Sequence, residues 1–116
     1  MDNTAIEEMF SALGPITVKR MFGGKGIYFE GLIVALEVSG DILLKADGQS
    51  APEFEAAGSV QWAYDGKGKP VKMPYWSIPE EAFDEPDEMA RWVRLAYEAA
   101  LRSTAPRVKY DKQRPL

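Results

Sequence analysis

The fold is decided by Ile27-Tyr28-Phe29-Glu30-Gly31-Leu32-Ile33-Val34-Ala35-Leu36-Glu37-Val38-Ser39-Gly40-Asp41-Ile42-Leu43-Leu44-Lys45-Ala46. Three apolar runs of strand length are separated by Glu30-Gly31 and by Ser39-Gly40-Asp41, connections of hairpin length that contain glycine. In the middle run a period of two puts Leu32, Val34, Leu36 and Val38 on one face. Just upstream, Ile16-Thr17-Val18-Lys19-Arg20-Met21-Phe22 also alternates. Gly23-Gly24-Lys25-Gly26 reads as the turn that joins it to the second strand. The stretch is thus an antiparallel meander of four strands.

Helical signals flank the meander. Thr4-Ala5-Ile6-Glu7 fits a capping box, and Ile6, Met9, Phe10 and Leu13 follow at helical spacing until Gly14-Pro15. The expected first helix covers about residues 4–13. Beyond the meander, Asp47-Gly48-Gln49-Ser50 breaks the sheet, and Pro52 to Ala57 forms a short helix closed by Gly58. Val60, Trp62 and Tyr64 alternate in a fifth strand. Gly66-Lys67-Gly68-Lys69 is a hairpin loop, and Val71, Met73 and Tyr75 alternate in a sixth strand. Pro74 inside that strand donates no ladder hydrogen bond, which points to an edge or a bulge. Pro79 starts one helical turn. Pro86 then opens the longest helix, whose buried stripe is Met89, Trp92, Val93, Ala96 and Ala100, widened by Leu95, Tyr97, Ala99 and Leu101. Arg91, Arg94 and Arg102 mark its solvent side, and Ser103-Thr104-Ala105-Pro106 ends it. The order is helix, four strands, short helix, two strands, long helix. It specifies an α+β fold in two layers, an antiparallel sheet of about six strands with helices packed on one face.

The chain has 116 residues, 46% hydrophobic and 28% charged. A single domain with a real core fits that size, since about two-thirds of its surface can be buried on folding. No apolar run reaches transmembrane length. The acidic start, Met1 to Glu8, lacks the basic region and apolar run of a signal peptide. A cytoplasmic location is expected, without membrane contact. There is no cysteine and no histidine. Disulfides, thiol nucleophiles, imidazole ligands and histidine acid–base chemistry are therefore excluded. The net charge of −4 is unevenly spread. Residues 1–101 hold nine basic and seventeen acidic side chains, a net of −8, while residues 102–116 hold five basic and one acidic, a net of +4. The acidic body repels nucleic acid. Residues 1–103 are read as one domain and 104–116 as a flexible basic tail.

Four constellations invite functional readings. The two glycine–lysine loops are not phosphate cradles, because a strand rather than a helix follows each. Were they at the same end of the sheet, Lys25, Lys67 and Lys69 would form a small basic spot. Six acids fall within residues 80–88. They lack the spacing of a calcium loop and suit the positive end of the long helix, or a docking surface for a basic partner. The aromatics from Trp62 to Tyr97 read as core and rim rather than a base-stacking platform, which needs a positive groove. In Pro74-Tyr75-Trp76, neighbours on a strand face opposite sides, so one ring is expected to point away from the main core beside an edge.

Arg20-Met21-Phe22-Gly23-Gly24-Lys25-Gly26-Ile27-Tyr28 resembles the opening signature of the TfoX/Sxy N-terminal domain. Leu43-Leu44-Lys45-Ala46-Asp47, Phe54 to Ser59, Lys67 to Val71, Met73-Pro74-Tyr75-Trp76 and Ile78-Pro79-Glu80-Glu81 follow in the family's order, so the likeness spans about residues 7–102. The resemblance implies a two-layer α+β unit related in architecture to secretion chaperones. It also implies competence and transcription regulation, which named members perform with a cyclic-AMP-dependent activator and a further helical C-terminal domain. This chain is expected to be the N-terminal domain standing alone. The family supplies no catalytic residues and no cofactor. A small non-catalytic accessory regulator that binds another protein, the transcription machinery included, is expected. Its contact residues would be Lys25, Lys67, Lys69, Tyr75 and Trp76. A chaperone-like module for extended clients, working as a homodimer, is the alternative. Direct nucleic-acid binding and enzymatic activity are disfavoured.

Overall fold

The computed structural model describes residues 2–21 and 23–110, with 105–110 described by backbone alone. Phe22 and residues 111–116, to which the first strand and the basic tail were expected to extend, lie outside the described residues. The elements are α1 (Asn3–Met9), β1 (Thr17–Met21), β2 (Gly24–Phe29), β3 (Leu32–Val38), β4 (Asp41–Lys45), α2 (Ala51–Ala56), β5 (Gln61–Asp65), β6 (Pro70–Ser77), a 3-10 turn (Glu80–Asp84) and α3 (Pro86–Tyr110). The six strands form one antiparallel sheet in the order β1-β2-β3-β4-β6-β5. The α+β architecture expected from the sequence is the one found. Among the described residues, no helix is long and apolar enough to cross a membrane.

Local chemistry explains the meander. Glu30 and Gly31 have φ of 51° and 82°, and Ser39 and Gly40 have 52° and 87°. Positive φ at both central residues is the two-residue hairpin turn whose twist matches that of the strands. The first helix differs from expectation. Asp2, not Thr4, caps it, its carboxylate accepting from the Ala5 amide at 2.9 Å. A carboxylate two residues earlier can satisfy the same kind of orphan amide, and it carries charge to the positive end of the helix. The β1–β2 turn also differs. Gly24, Lys25 and Gly26 are not a loop but the first half of β2, paired with β1 and β3. Glycine is required there for space: a Cβ on Gly24 would collide with the backbone carbonyl of Glu37, and one on Gly26 would meet Tyr28 and Met21 at 3.0 and 3.1 Å.

One irregularity governs the sheet. Ile27 pairs with Ala35, but Tyr28 pairs with Ile33, so Val34 has no opposite residue. This bulge resets the alternation of β3. Val34 and Ala35 both enter the core under the helices, whereas Leu36 and Val38 turn to the opposite face. The single face expected for Leu32, Val34, Leu36 and Val38 is therefore split. The main core joins Ile6 and Phe10 of α1, Ile27, Val34, Ile42 and Leu44 of the sheet, Phe54 of α2, and Trp92, Val93 and Ala96 of α3. Phe54 is fully buried between Trp92, at 4.8 Å between ring centres, and Trp76, at 6.2 Å.

The long helix continues to Tyr110, past the Ser103–Pro106 segment expected to end it. Its arginines also do more than face solvent. Arg91 pairs with Glu53 of α2 at 2.8 Å and lies over the Trp92 ring. Arg102 grips Asp47 with Nε on Oδ2 at 2.7 Å and Nη2 on Oδ1 at 3.0 Å. Asp47 Oδ1 also accepts from the amides of Gln49 and Ser50, which sets the loop that starts α2. The guanidinium contact, together with the Ser50 hydrogen bonds, holds the Asp47 carboxyl down to about 2.

Gly24→Ala should cost about 2–3 kcal/mol in denaturant melts, because β2 and β3 must separate to admit the methyl group. Gly48→Ala, where a Cβ meets nothing within 4 Å, should cost little. Asp47→Asn should lose about 1–2 kcal/mol at neutral pH, allowing for solvent screening of a part-exposed pair. The Asp47 carboxyl titrates lower folded than unfolded, so its contribution is present above about pH 4 and fades as pH falls toward about 2. The two proteins should converge in stability across that window.

Candidate functional site: the uncovered face of the sheet

The helices cover one face of the sheet, and on the other the bulge exposes a second apolar surface. Ladder alternation gives its members: Met21 from β1, Tyr28 from β2, Ile33, Leu36 and Val38 from β3, Leu43 from β4, Trp62 and Tyr64 from β5, and Val71, Met73 and Tyr75 from β6. Leu36, Leu43 and Tyr75 are buried and form the floor, with Ile33, Val38, Trp62 and Met73 packed round them. Met21, Tyr64 and Val71 stand at the margin, 42%, 56% and 48% exposed. Between them lies a groove of about 450 Å³, running from Met21 and Gly24 to Trp62 and Tyr64. Scattered apolar side chains are normal on a surface, whereas a contiguous patch of this kind marks an interaction site.

The polar groups here are few. Tyr75 is buried, which pushes its phenol above the usual tyrosine range, and the nearby Tyr28 phenol adds to the shift. The Lys19 ammonium lies 5.1 Å from the centre of the Tyr28 ring, and that of Lys45 lies 5.4 Å from Tyr75. Among the described residues, no group of three or more carboxylates could hold a metal ion. The acids of residues 80–88 lie on the 3-10 turn and the start of α3, away from this face.

The residues singled out from sequence do not come together. Tyr75 does point away from the main core, as one ring of the pair had to, but it is only 7% exposed. It also lies on β6, an interior strand rather than an edge. The bulge that Pro74 foretold is there, between Gln61↔Trp76 and Ala63↔Lys72. Trp76 faces the helices and stacks on Phe54. Lys25, next to Gly24 and Gly26 in the strand, also faces the helices, donating to Asn3 Oδ1 of α1 at 3.0 Å. Lys67 and Lys69 are exposed at the β5–β6 turn. The ladder register places that turn and the β1–β2 turn at opposite ends of the sheet, so no basic spot joins all three lysines. Missed altogether were Leu36, Val38, Leu43 and Met73. A signal for them existed: Leu32 to Val38 and Ile42 to Leu44 are nearly continuous apolar runs, which mark strands apolar on both faces.

The meander, the glycines of β2 and the order of elements agree with a family match. The model of the TfoX N-terminal domain fits residues 8–100. The chain belongs to that family. Comparison with curated proteins gives no match.

Within this TfoX N-terminal domain, floor and margin should respond differently to mutation. Leu43→Ala and Tyr75→Ala, both in the buried floor, should each lower stability by about 3 kcal/mol, as truncations of buried large side chains do. Tyr64→Ser and the double charge reversal Lys67→Glu/Lys69→Glu should shift the melting temperature by no more than a few degrees. Thermal melts of the four proteins check this.

Proposed function

We propose that this TfoX N-terminal domain is a non-catalytic protein-binding module acting in the cytoplasm as an accessory regulator of competence or transcription. The family supplies the process. The observation that carries the mode of action is the uncovered apolar face of the sheet. A sheet normally buries each apolar face against another layer, and here, among the described residues, one face has no layer over it. Its margin offers Met21, Tyr64 and Val71 on a rigid floor, and aromatic and methionine side chains are the types enriched where proteins meet. Little need be ordered on this side when a partner binds, because the floor is fixed by ladders and by the core beneath it.

Affinity capture from native lysate tests the reading, with the full chain and its Tyr64→Ser variant as baits and mass spectrometry as the readout. Enrichment of RNA polymerase or a transcription activator with the parent chain, lost with the variant, is the expected result. A partner set unchanged by the variant would remove the open face from the account. A set of unrelated unfolded clients would favour a chaperone-like module instead.

A further inference from the structure

Resting on that reading of the open face, we infer that its occupant is an amphipathic helix of another protein, with acidic side chains flanking its apolar stripe. Two features of the face select this chemistry. The first is backbone accounting. The floor is built on the interior strands β3, β4 and β6. β3 and β4 are paired on both sides of Leu36 and Leu43, while β6 pairs with β4 from Tyr75 to Ser77 and with β5 at Trp76 and from Pro70 to Lys72, so little floor backbone outside the bulge is open to a new strand. An extended peptide laid across such a floor would find few backbone partners and would bury its own polar groups unsatisfied. Strand addition works only at an edge. A helix satisfies its own backbone and needs from the groove only apolar contact, at positions three and four residues apart.

The second feature is charge. Residues 1–101 carry a net charge of −8, yet the open face is not acidic. Of the strand residues that alternation places on it, Lys19 and Lys45 are cations, lying over Tyr28 and Tyr75. The one acid is Asp41, at the end of β4 beside the β3–β4 turn. Lys67 and Lys69 stand at the hairpin that carries Tyr64 and Val71. The other acids of the strands, Glu37 and Asp65, alternate onto the helical face; Glu37 also lines one end of the groove, where its ladder partner Lys25 lies beside it. An apolar groove with a lysine margin complements an apolar helix with carboxylate flanks. It disfavours a basic helix of the same apolar pattern.

The probes are synthetic helices of about 20 residues, one flanked by glutamates and one by lysines, with the same leucine and methionine stripe. A third peptide alternates apolar and glutamate residues as a strand. Binding is followed by amide chemical shifts of the full chain. The glutamate-flanked helix should bind about tenfold tighter than the lysine-flanked one at low salt, with the gap closing as salt is raised. The shifts should centre on β3, β5 and β6. Tyr64→Ser should abolish binding, and Lys19→Glu/Lys45→Glu should invert the preference between the helices, both with melting temperatures near that of the parent. Equal affinity for the two helices, stronger binding of the strand-pattern peptide, or no shift on this face would overturn the inference. So would light scattering that shows a dimer closed over the face. Tyr64-dependent capture of a partner from lysate alongside any of the peptide failures would leave the protein-binding function standing and this inference alone refuted.

Discussion

The structure depends on one constraint: the central strands β3 and β4 are apolar on both faces, while the helices cover only one. Sheet pairing fixes which side chains share a face, and the bulge at Val34 divides β3 between the two. Without it, Leu36 and Val38 would join Val34 beneath the helices, and the far face would lose Leu36 from its floor and Val38 beside it. With it, α1, α2 and α3 close a core round Phe54 and Trp92, and Leu36, Leu43 and Tyr75 are left to a second, smaller cluster. That cluster is too thin to be a core of its own. It gains shelter from Trp62 and Met73 of the bent β5–β6 hairpin, and its margin stays wet.

The long helix is fastened to this sheet at both ends of its packed stretch. Arg91 reaches Glu53 on α2, and Arg102 reaches Asp47 in the loop that feeds α2. Asp47 has two roles, ion-pair partner and organiser of the Gln49–Ser50 turn, which is why one side chain couples the last helix to the sheet's midpoint. These links lie on the helical side, so a partner on the open face would not disturb them.

Much of the fold was legible from residue pattern. Hairpin turns at Glu30-Gly31 and Ser39-Gly40 and the stripe on α3 follow from local chemistry that no tertiary contact overrides, and of the edge or bulge to which Pro74 points, the bulge is the one found. The errors have physical causes. Gly24 and Gly26 read as turn formers because glycine permits turns, but here it permits close approach of β2 to β3 and leaves room for Tyr28 and Met21. Thr4 and Asp2 are both competent caps, and sequence cannot choose between neighbours. The bulge at Val34 leaves no mark in Val34-Ala35, so strict alternation assigned Leu36 and Val38 to the wrong face. The candidate site suffered most. Lys25 reads as part of a turn and Trp76 as one of two neighbouring rings, one of which has to leave the core, and only the register shows that both face the helices. The unbroken apolar runs in β3 and β4 were the better guide.

Hydroxyl-radical footprinting tests the central claim most directly. The free chain and its complex with the partner captured from lysate would be oxidised side by side and the modified side chains mapped. The account predicts that Met21, Met73 and Tyr64 are modified in the free protein and protected in the complex, while Phe83 and Leu101 on the helical side stay equally reactive. Protection of Phe83 and Leu101 with the open face unchanged would contradict it.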